Sequence, residues 1–171
     1  MGDTEQRQSS DTMRTYIFGQ HIIKASQVFF KTPLSFGVVN RMPVQPGHVL
    51  VCPLRKVERF RDMTSCEVSD MFQSVHMIAK ALEVHYGVTA LSVGLQDGPD
   101  AGQSVKHVHI HIVPRRKGDF KNNDDIYPLL EKNDHVAFDA ASTREWRSDE
   151  DMRQEAVQLR KLFPESYTKD L

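Results

Sequence analysis

Three histidines occupy alternate positions in the sequence, His107, His109 and His111. In a β-strand, residues i, i+2 and i+4 point to the same face. A strand here would therefore place all three imidazoles on one surface and turn Val108 and Ile110 towards the core. A solvated strand face usually carries Thr, Lys, Glu and Ser, and the chain has only eight histidines. The pattern therefore predicts an active site rather than an ordinary polar surface.

The middle histidine, His109, is suited to nucleophilic catalysis. Imidazole has a pKa near 6.5, so it is largely uncharged at neutral pH, and histidine forms covalent intermediates in enzymes. His109 can attack an electrophile such as phosphorus while a flanking imidazole donates to the oxygen beside it or to the leaving group. The other ring nitrogen of His109 then needs an acceptor that fixes the tautomer. The backbone carbonyl of a nearby turn residue could serve.

A zinc site is the first alternative, because histidine is a common metal ligand. Zinc requires each nitrogen at about 2.0–2.1 Å, but positions i and i+4 of a straight strand are roughly 13 Å apart. Two neighbouring histidines could bind one ion with help from elsewhere, whereas all three could do so only if the strand bends sharply. No Asp or Glu follows at short spacing to complete a metal-hydrolase pattern. We therefore predict no protein metal site.

The composition bounds the class of protein. A chain of 171 residues that is 39% hydrophobic fits one domain with a sizeable core. Its 22 Lys and Arg balance 23 Asp and Glu, so we expect neither a nucleic-acid polymer nor a membrane surface as partner. Cys52 and Cys66 lack a paired spacing, and no apolar run approaches the roughly 20 residues that cross a bilayer. We expect a cytoplasmic protein that could also enter the nucleus.

Hydrophobic periodicity predicts an α+β domain with an antiparallel sheet, because two hairpins flank one long helix. The predicted strands are 28–31, 34–39, 48–53 and 88–96, followed by the histidine strand, and the predicted helices are 64–87 and one that begins after Ser148. Around them we predict a disordered N-terminal tail (1–15), a domain over 16–163 with a mobile loop at about 115–145, and a C-terminal tail (164–171).

The segment 107–113, His-Val-His-Ile-His-Ile-Val, resembles the signature of the histidine triad superfamily of nucleotidyl hydrolases and transferases. Further segments look like its fragile histidine triad branch, the bis(5′-adenosyl)-triphosphatases: 18–21 (FGQH), 34–36 (LSF), 39–41 (VNR), 46–53 (PGHVLVCP), 96–99 (QDGP), 101–103 (AGQ) and 148–150 (SDE). The resemblance covers 16–163. It implies the histidine-triad fold, with a five-stranded antiparallel sheet per subunit, one long helix, a C-terminal helix, and a homodimer as the active species.

The resemblance also implies a reaction and a set of site residues. His109 would attack the α-phosphorus of diadenosine triphosphate, form a covalent AMP–histidine and release ADP, after which water releases AMP. The other catalytic residues would be His107, His111 and His48. The expected substrate-binding residues, among which Phe18, Ile23, Val38 and Leu50 would form the adenine pocket, are Phe18, His21, Ile23, Val38, Asn40, Leu50, Gln96, Gly102, Gln103, Ser104, Val105 and His111. A Mg²⁺ or Mn²⁺ ion would arrive with the polyphosphate.

Two other functions fit the same sequence. The sister branch that cleaves purine nucleoside phosphoramidates uses the same nucleophile, so only relative turnover on the two substrate types separates them. A nucleotide-sensing signalling module, whose bound complex is the output, would keep its cellular effect in a His109→Asn variant. By themselves, Asn40 and the glycine-rich turn at Gly102 are common turn chemistry, and the apolar candidates would be plain core.

Overall fold

The computed structural model describes residues 14–136, 146–169 and 171, with 132–136 as backbone only. The helices in these segments are α1 (Ser65–Tyr86), α2 (Ile126–Val136) and α3 (Asp149–Arg160). The strands are β1 (Thr15–Phe18), β2 (His21–Lys24), β3 (Val28–Lys31), β4 (Ser35–Val39), β5 (Val49–Pro53), β6 (Ala90–Leu95) and β7 (Ile110–Arg115). Strands β3 to β7 form one antiparallel sheet in the order β3-β4-β5-β7-β6. The predicted α+β fold with a five-stranded antiparallel sheet is confirmed.

Helix α1 begins and ends where the sequence predicts. The Thr64 side chain accepts a hydrogen bond from the Glu67 amide while the Glu67 carboxylate accepts from the Thr64 amide, a capping box that satisfies two helix-end donors. Arg55 binds the same carboxylate through two nitrogens and lowers the pKa of Glu67 to about 2. At the other end Gly87 adopts φ +59° and ends the helix. These interactions fix where α1 begins and ends.

The sheet is covered on both faces, and a different cluster of side chains packs on each face. One face packs against α1 and α3 to form the main core, which includes Val49, Val51, Ile110, Ile112, Met71, Ile78, Leu82, Ala156 and Leu159. The opposite face holds a second cluster, formed by Tyr16, Phe18, Val28, Phe36, Val38, Leu50, Cys52 and Val105. All residues of β4 and β5 are buried as a result. The histidines lie on this second face.

The hairpin β1–β2 covers the second face, and no pattern in the sequence predicted it. Phe18 pairs with His21 across a two-residue turn in which Gly19 has φ +61°, a conformation that suits glycine in a tight hairpin. A side chain at Gly19 would lie 2.5 Å from a methyl of Val105, so the turn packs directly on the chain just before His107. Four-residue strands are too short to give a clear periodicity, which explains the omission.

Two segments that were predicted to be irregular are structured. Within the predicted loop at about 115–145, helix α2 packs Ile126 and Leu130 on Val113. Residues 137–145, and residues 1–13 of the predicted tail 1–15, lie outside the described residues, whereas Thr15 already belongs to β1. In the predicted C-terminal tail, the ring of Tyr167 stacks on Phe30 with centroids 4.9 Å apart. Both contacts join distant parts of the sequence, so local composition did not reveal them. In the described segments no helix is long and apolar enough to span a bilayer.

We predict that Gly47→Ala lowers the free energy of unfolding by about 2–4 kcal/mol, measured by urea denaturation. Gly47 has φ +81°, and a Cβ there would overlap the ring of Tyr86. Gly87→Ala is the matched control, because Gly87 has φ +59° but a Cβ added to it would meet no atom within 4 Å. It should lose only about 1 kcal/mol. Equal losses in the two variants would show that the Tyr86 contact is not what requires glycine before His48.

Candidate active site

The three histidines lie on one face of the sheet, as predicted, but this face is buried. His107, His109 and His111 are 0%, 2% and 1% exposed. Only His111 belongs to β7 as formed, where it pairs with Leu50 on β5 and Gly94 on β6. The ring of Phe18 stands edge-on to His109 with centroids 5.1 Å apart. The hairpin therefore encloses the triad in a largely apolar shell.

His107 is held by backbone groups on both sides of its ring. Its Nδ1 accepts a hydrogen bond from the Gly19 amide at 3.2 Å, and its Nε2–H donates to the Pro53 carbonyl at 2.8 Å. These partners fix a neutral tautomer, and burial lowers the pKa of His107. His107 therefore positions the hairpin turn against the sheet. Both ring nitrogens are bonded within the protein, and the catalytic role that the resemblance implies for His107 stays a prediction.

His109 has the tautomer that a nucleophile needs. Its Nδ1 lies 2.7 Å from the carbonyl oxygen of His107, and because a carbonyl only accepts, Nδ1 carries the hydrogen. The lone pair is therefore on Nε2, the nitrogen at the far side of the ring. A backbone carbonyl from a nearby turn residue was the acceptor predicted from the sequence, and the contact confirms it.

The tautomer of His111 is fixed by its hydrogen bond with His48. The amide of Val44 donates to His48 Nδ1 at 3.2 Å, so the hydrogen of a neutral His48 is on Nε2, which lies 2.9 Å from His111 Nδ1. His48 Nε2–H therefore donates to His111, and the remaining hydrogen of His111 is on its own Nε2. The rings of His109 and His111 are 5.0 Å apart at 72°. A nucleophilic nitrogen and an N–H donor thus lie side by side.

His48 contacts His111 and acts through that ring. It is 1% exposed, and both of its ring nitrogens contact protein groups, so it acts through His111. Burial, with a smaller electrostatic contribution from the neighbouring His109, lowers the pKa of His48 to about 3. The supporting ring is therefore neutral throughout the physiological range, and the tautomer it imposes does not change with pH there.

A cavity of about 280 Å³ opens beside the triad between the hairpin, the sheet and the start of α3. Seven of the predicted substrate-binding residues line it: Phe18, His21, Ile23, Val38, Asn40, Leu50 and Val105. The Asn40 side-chain oxygen Oδ1 accepts from the Met42 amide, and its Nδ2 lies 3.2 Å from His48 Nε2, so the Asn40 amide is held at the cavity wall next to His48. Size and lining suit a nucleoside, with an apolar slot for the base and a polar group for the sugar.

Sequence reasoning missed part of the cavity wall. Gln27, Arg41, Trp146 and Asp149 also line it, and the Arg41 guanidinium lies 4.7 Å from the centre of the Trp146 ring. Arg41 and Asp149 stand inside segments that carried the family resemblance, which was a usable signal. Gln27 and Trp146 carried no such signal in the sequence, because only the packing of α3 against the turn before β3 brings them to the cavity.

Apart from His111 on β7, the other predicted substrate residues lie on the turn 96–105 and do not line this cavity. The Gln103 amide is engaged within the turn, accepting from the Gly98 amide and donating to the carbonyls of Glu58 and Val105. Its side-chain amide therefore holds the turn in shape, and the predicted contact of Gln103 with substrate stays a prediction. A Cβ at Gly102 would lie 2.8 Å from Gln96 Nε2, so the glycine gives the Gln96 side chain room.

Two polar atoms of this turn have no hydrogen-bond partner within the described residues. They are the buried side-chain oxygens of Gln96 and Ser104. Buried polar atoms are normally paired, so an unpaired one next to an active site is a candidate ligand contact. The amides of Gly102 and Gln103 are bonded to Pro99 and Gly98 within the turn, which leaves those of Ser104 and Val105 as the candidate backbone donors.

The donor set does not resemble a metal centre. Among the residues with described side chains, no group of three or more His, Cys, Asp and Glu surrounds a common point. The rings of His107 and His48 already use both nitrogens within the protein. The arrangement fits nucleophilic attack by one imidazole with hydrogen-bond donation by its neighbour.

The fold and the site together define a histidine-triad protein. The family model described as the HIT domain matches residues 23–118, more than half of the chain, and the chain belongs to this family. It is 45% identical to the bifunctional bis(5′-adenosyl)-triphosphatase/adenylylsulfatase of Arabidopsis thaliana, covering 92% of this chain and 89% of the relative. It is 46% identical to the bis(5′-adenosyl)-triphosphatase of Dictyostelium discoideum, covering 92% and 99%.

A solved structure gives the same result. The crystal structure of the Caenorhabditis elegans NitFhit protein superposes with a TM-score of 0.71 at 41% identity over 91% of this chain. The match takes up 31% of that longer protein. The resemblance drawn from the sequence motifs is confirmed.

We predict that acid destabilises the protein through its buried neutral histidines. Because the pKa of His48 is about 3 when folded and about 6.5 when unfolded, the unfolded chain alone gains a proton as pH falls below 6.5. The contribution of His48 to the free energy of unfolding is fully present above pH 6.5. About 2 kcal/mol of it should be lost between pH 6.5 and 5. Urea denaturation at the two pH values measures it.

The control for this experiment is a histidine outside the site. His48→Asn should reduce the pH dependence by that amount, whatever its effect on absolute stability. His76→Asn, on the exposed side of α1, should keep the wild-type dependence. An unchanged dependence in His48→Asn would refute a neutral, buried His48.

Proposed function

We propose that this protein is a dinucleoside polyphosphate hydrolase that cleaves diadenosine triphosphate to AMP and ADP. The observation that carries the proposal is the tautomer of His109, whose Nδ1–H is bound to the His107 carbonyl and whose Nε2 bears the lone pair. The adjoining nucleoside-sized cavity and the names of the relatives support the same reaction.

The reaction proceeds in two displacements. In the first, Nε2 of His109 forms a bond to the α-phosphorus, and the bond from that phosphorus to the bridging oxygen breaks, so that its electron pair leaves with ADP. In the second, the oxygen of a water molecule forms a bond to the same phosphorus and one proton of that water is released to solvent. The N–P bond breaks with its electron pair returning to Nε2, and AMP departs. Splitting hydrolysis in this way replaces one difficult step with two easier ones.

The neighbouring groups stabilise charge as it develops on phosphorus and on the leaving oxygen. His111 Nε2–H, oriented by His48, is the donor beside the nucleophile. The amides of Ser104 and Val105 and the hydroxyl of Ser104 are the donors from the turn. The unpaired Gln96 Oε1 can only accept, so Gln96 would donate through its Nε2. In a site from which water is excluded, such fixed donors contribute more than they would in water. Phe18 and Leu50 supply part of that exclusion.

The same proposal covers the metal and the location. A Mg²⁺ or Mn²⁺ ion comes bound to the polyphosphate, because Asp149, the carboxylate that the described residues bring to the cavity wall, is already paired with Lys24.

The protein works in the cytoplasm and also enters the nucleus. Its two cysteines, Cys52 and Cys66, are both free thiols, in keeping with a reducing compartment.

We predict that His109→Asn loses at least about 1,000-fold in kcat, because the variant lacks the nitrogen that forms the covalent intermediate. Intact-protein mass spectrometry after a rapid alkaline quench should detect an acid-labile AMP adduct on the wild type and none on the variant. The measurement is repeated with a chelator, and with a purine nucleoside phosphoramidate as comparison substrate.

Two results would contradict the proposal. One is product formation at the wild-type rate by His109→Asn. The other is the absence of any adduct on the wild type together with zinc in the native protein and loss of activity on its removal. Faster turnover of the phosphoramidate would assign the protein to the sister branch. His85→Asn, on the exposed end of α1, is the matched histidine control and should leave both adduct and rate unchanged.

The active species that we propose is a homodimer. Strand β6 forms one edge of the five-stranded sheet, and its Val93 is 49% exposed. An apolar edge strand of this kind offers unpaired backbone groups to a second chain. Gly94 of β6 pairs with His111, so this edge also lies next to the site.

We predict a dimer in sedimentation equilibrium, and we predict that Val93→Arg converts it to a monomer by placing a charge at the edge. The matched control is Ile17→Arg, at a residue 46% exposed on the β1–β2 hairpin, which should remain dimeric. A monomeric wild type, or a Val93→Arg variant that stays dimeric, would argue against pairing through β6.

A further inference from the structure

Gln27 is a buried polar side chain in the wall of the nucleoside cavity, and the proposed reaction gives it no role. It is 5% exposed and lies in the 3₁₀ turn Ala25–Gln27. The neighbouring base-slot residues Phe18, Ile23 and Val38 offer only apolar surface. Apolar walls hold any purine by stacking and burial but cannot distinguish one purine from another. A buried amide in the same wall is the kind of group that can.

The contacts of Gln27 decide which end of its amide is available. Its Nε2 donates to Asp149 Oδ1 at 3.0 Å. The ion pair with Lys24 lowers the pKa of Asp149, so this carboxylate is ionised and can only accept hydrogen bonds. The amide cannot flip without directing its own oxygen at a carboxylate. Its Oε1 is therefore left as the acceptor.

The turn that carries Gln27 is firmly held. The Arg160 guanidinium donates to the carbonyls of Ala25 and Val28 on either side of it, and the Ala25 amide donates to the Arg14 carbonyl. Helix α3 therefore fixes the turn at two points, through Arg160 and through Asp149. An acceptor held in this way imposes selectivity, because it does not move to suit a different base.

We propose that Gln27 Oε1 accepts a hydrogen bond from the base in the cavity. It thereby favours a purine with an exocyclic amine, as in adenine, over one with a carbonyl at that position, as in hypoxanthine. The amine donates to Oε1, whereas a carbonyl oxygen would face it acceptor to acceptor and leave both unpaired. The inference rests on the proposed function, because it assumes that the cavity holds the nucleoside whose phosphate is transferred to His109.

A mixed dinucleotide tests this by internal competition. Adenosine-inosine triphosphate can be cut in two ways, giving AMP with IDP or IMP with ADP, and the base in the cavity decides which. The wild type should give AMP with IDP in an excess of about tenfold, measured by chromatography of the initial products. Gln27→Met, of similar size but without the acceptor, should bring the two product pairs to near equality while diadenosine triphosphate is still cleaved.

Two further variants complete the experiment. Asp149→Asn removes the acceptor-only partner, so the Gln27 amide can turn over, and the product ratio should fall in the same direction. Gln73→Met, at an exposed glutamine of α1, is the matched control and should keep the wild-type ratio. Equal product pairs from the wild type, or an unchanged ratio in Gln27→Met, would overturn the role of Gln27. Failure of the wild type to cleave diadenosine triphosphate would instead overturn the proposed hydrolysis and the inference with it.

Discussion

The hydrogen bond from His109 Nδ1–H to the His107 carbonyl is the interaction on which the site depends. An imidazole in water exchanges its hydrogen between two nitrogens, but this bond assigns the hydrogen to one of them and leaves the lone pair on the other. The carbonyl is in place only because His107 is itself fixed, by the Gly19 amide on one side and the Pro53 carbonyl on the other. The nucleophile is thus prepared by backbone groups from the hairpin and the sheet, and it needs no carboxylate partner.

The second constraint is charge. Burial, with a smaller contribution from the neighbouring His109, disfavours the protonated forms of His48 and His107, so the pKa values of both are lowered. His48 and His107 are therefore neutral, and in each of these two rings one nitrogen donates and the other accepts a hydrogen bond. The consequence is a lower free energy of unfolding in acid, since the unfolded chain binds protons at histidines that stay neutral in the folded chain. Around neutral pH, the same burial keeps the tautomers of the site fixed.

Helix α3 joins the nucleoside cavity to the rest of the molecule. Its first residue, Asp149, holds Lys24 and Gln27, and its last, Arg160, holds the turn between β2 and β3. Just before the helix, Arg147 donates to the carbonyl of Asn40 and also pairs with Glu155. One short helix therefore sets the geometry of both the base and sugar ends of the cavity. Changes in α3 should be interpreted as changes at the site, although the helix carries no catalytic group.

The sequence by itself determined the parts governed by local rules. The alternation of the triad put His107, His109 and His111 on one face, and the Thr64 and Ser148 caps located α1 and α3. Family motifs then supplied most of the cavity lining. Only the tertiary structure decided that the face is buried under the β1–β2 hairpin, that His48 acts through His111, that Gln103 braces its own turn, and that Gln27 reaches the cavity. Each of these depends on a contact between residues from separate elements, and such contacts leave no periodic signal in the chain.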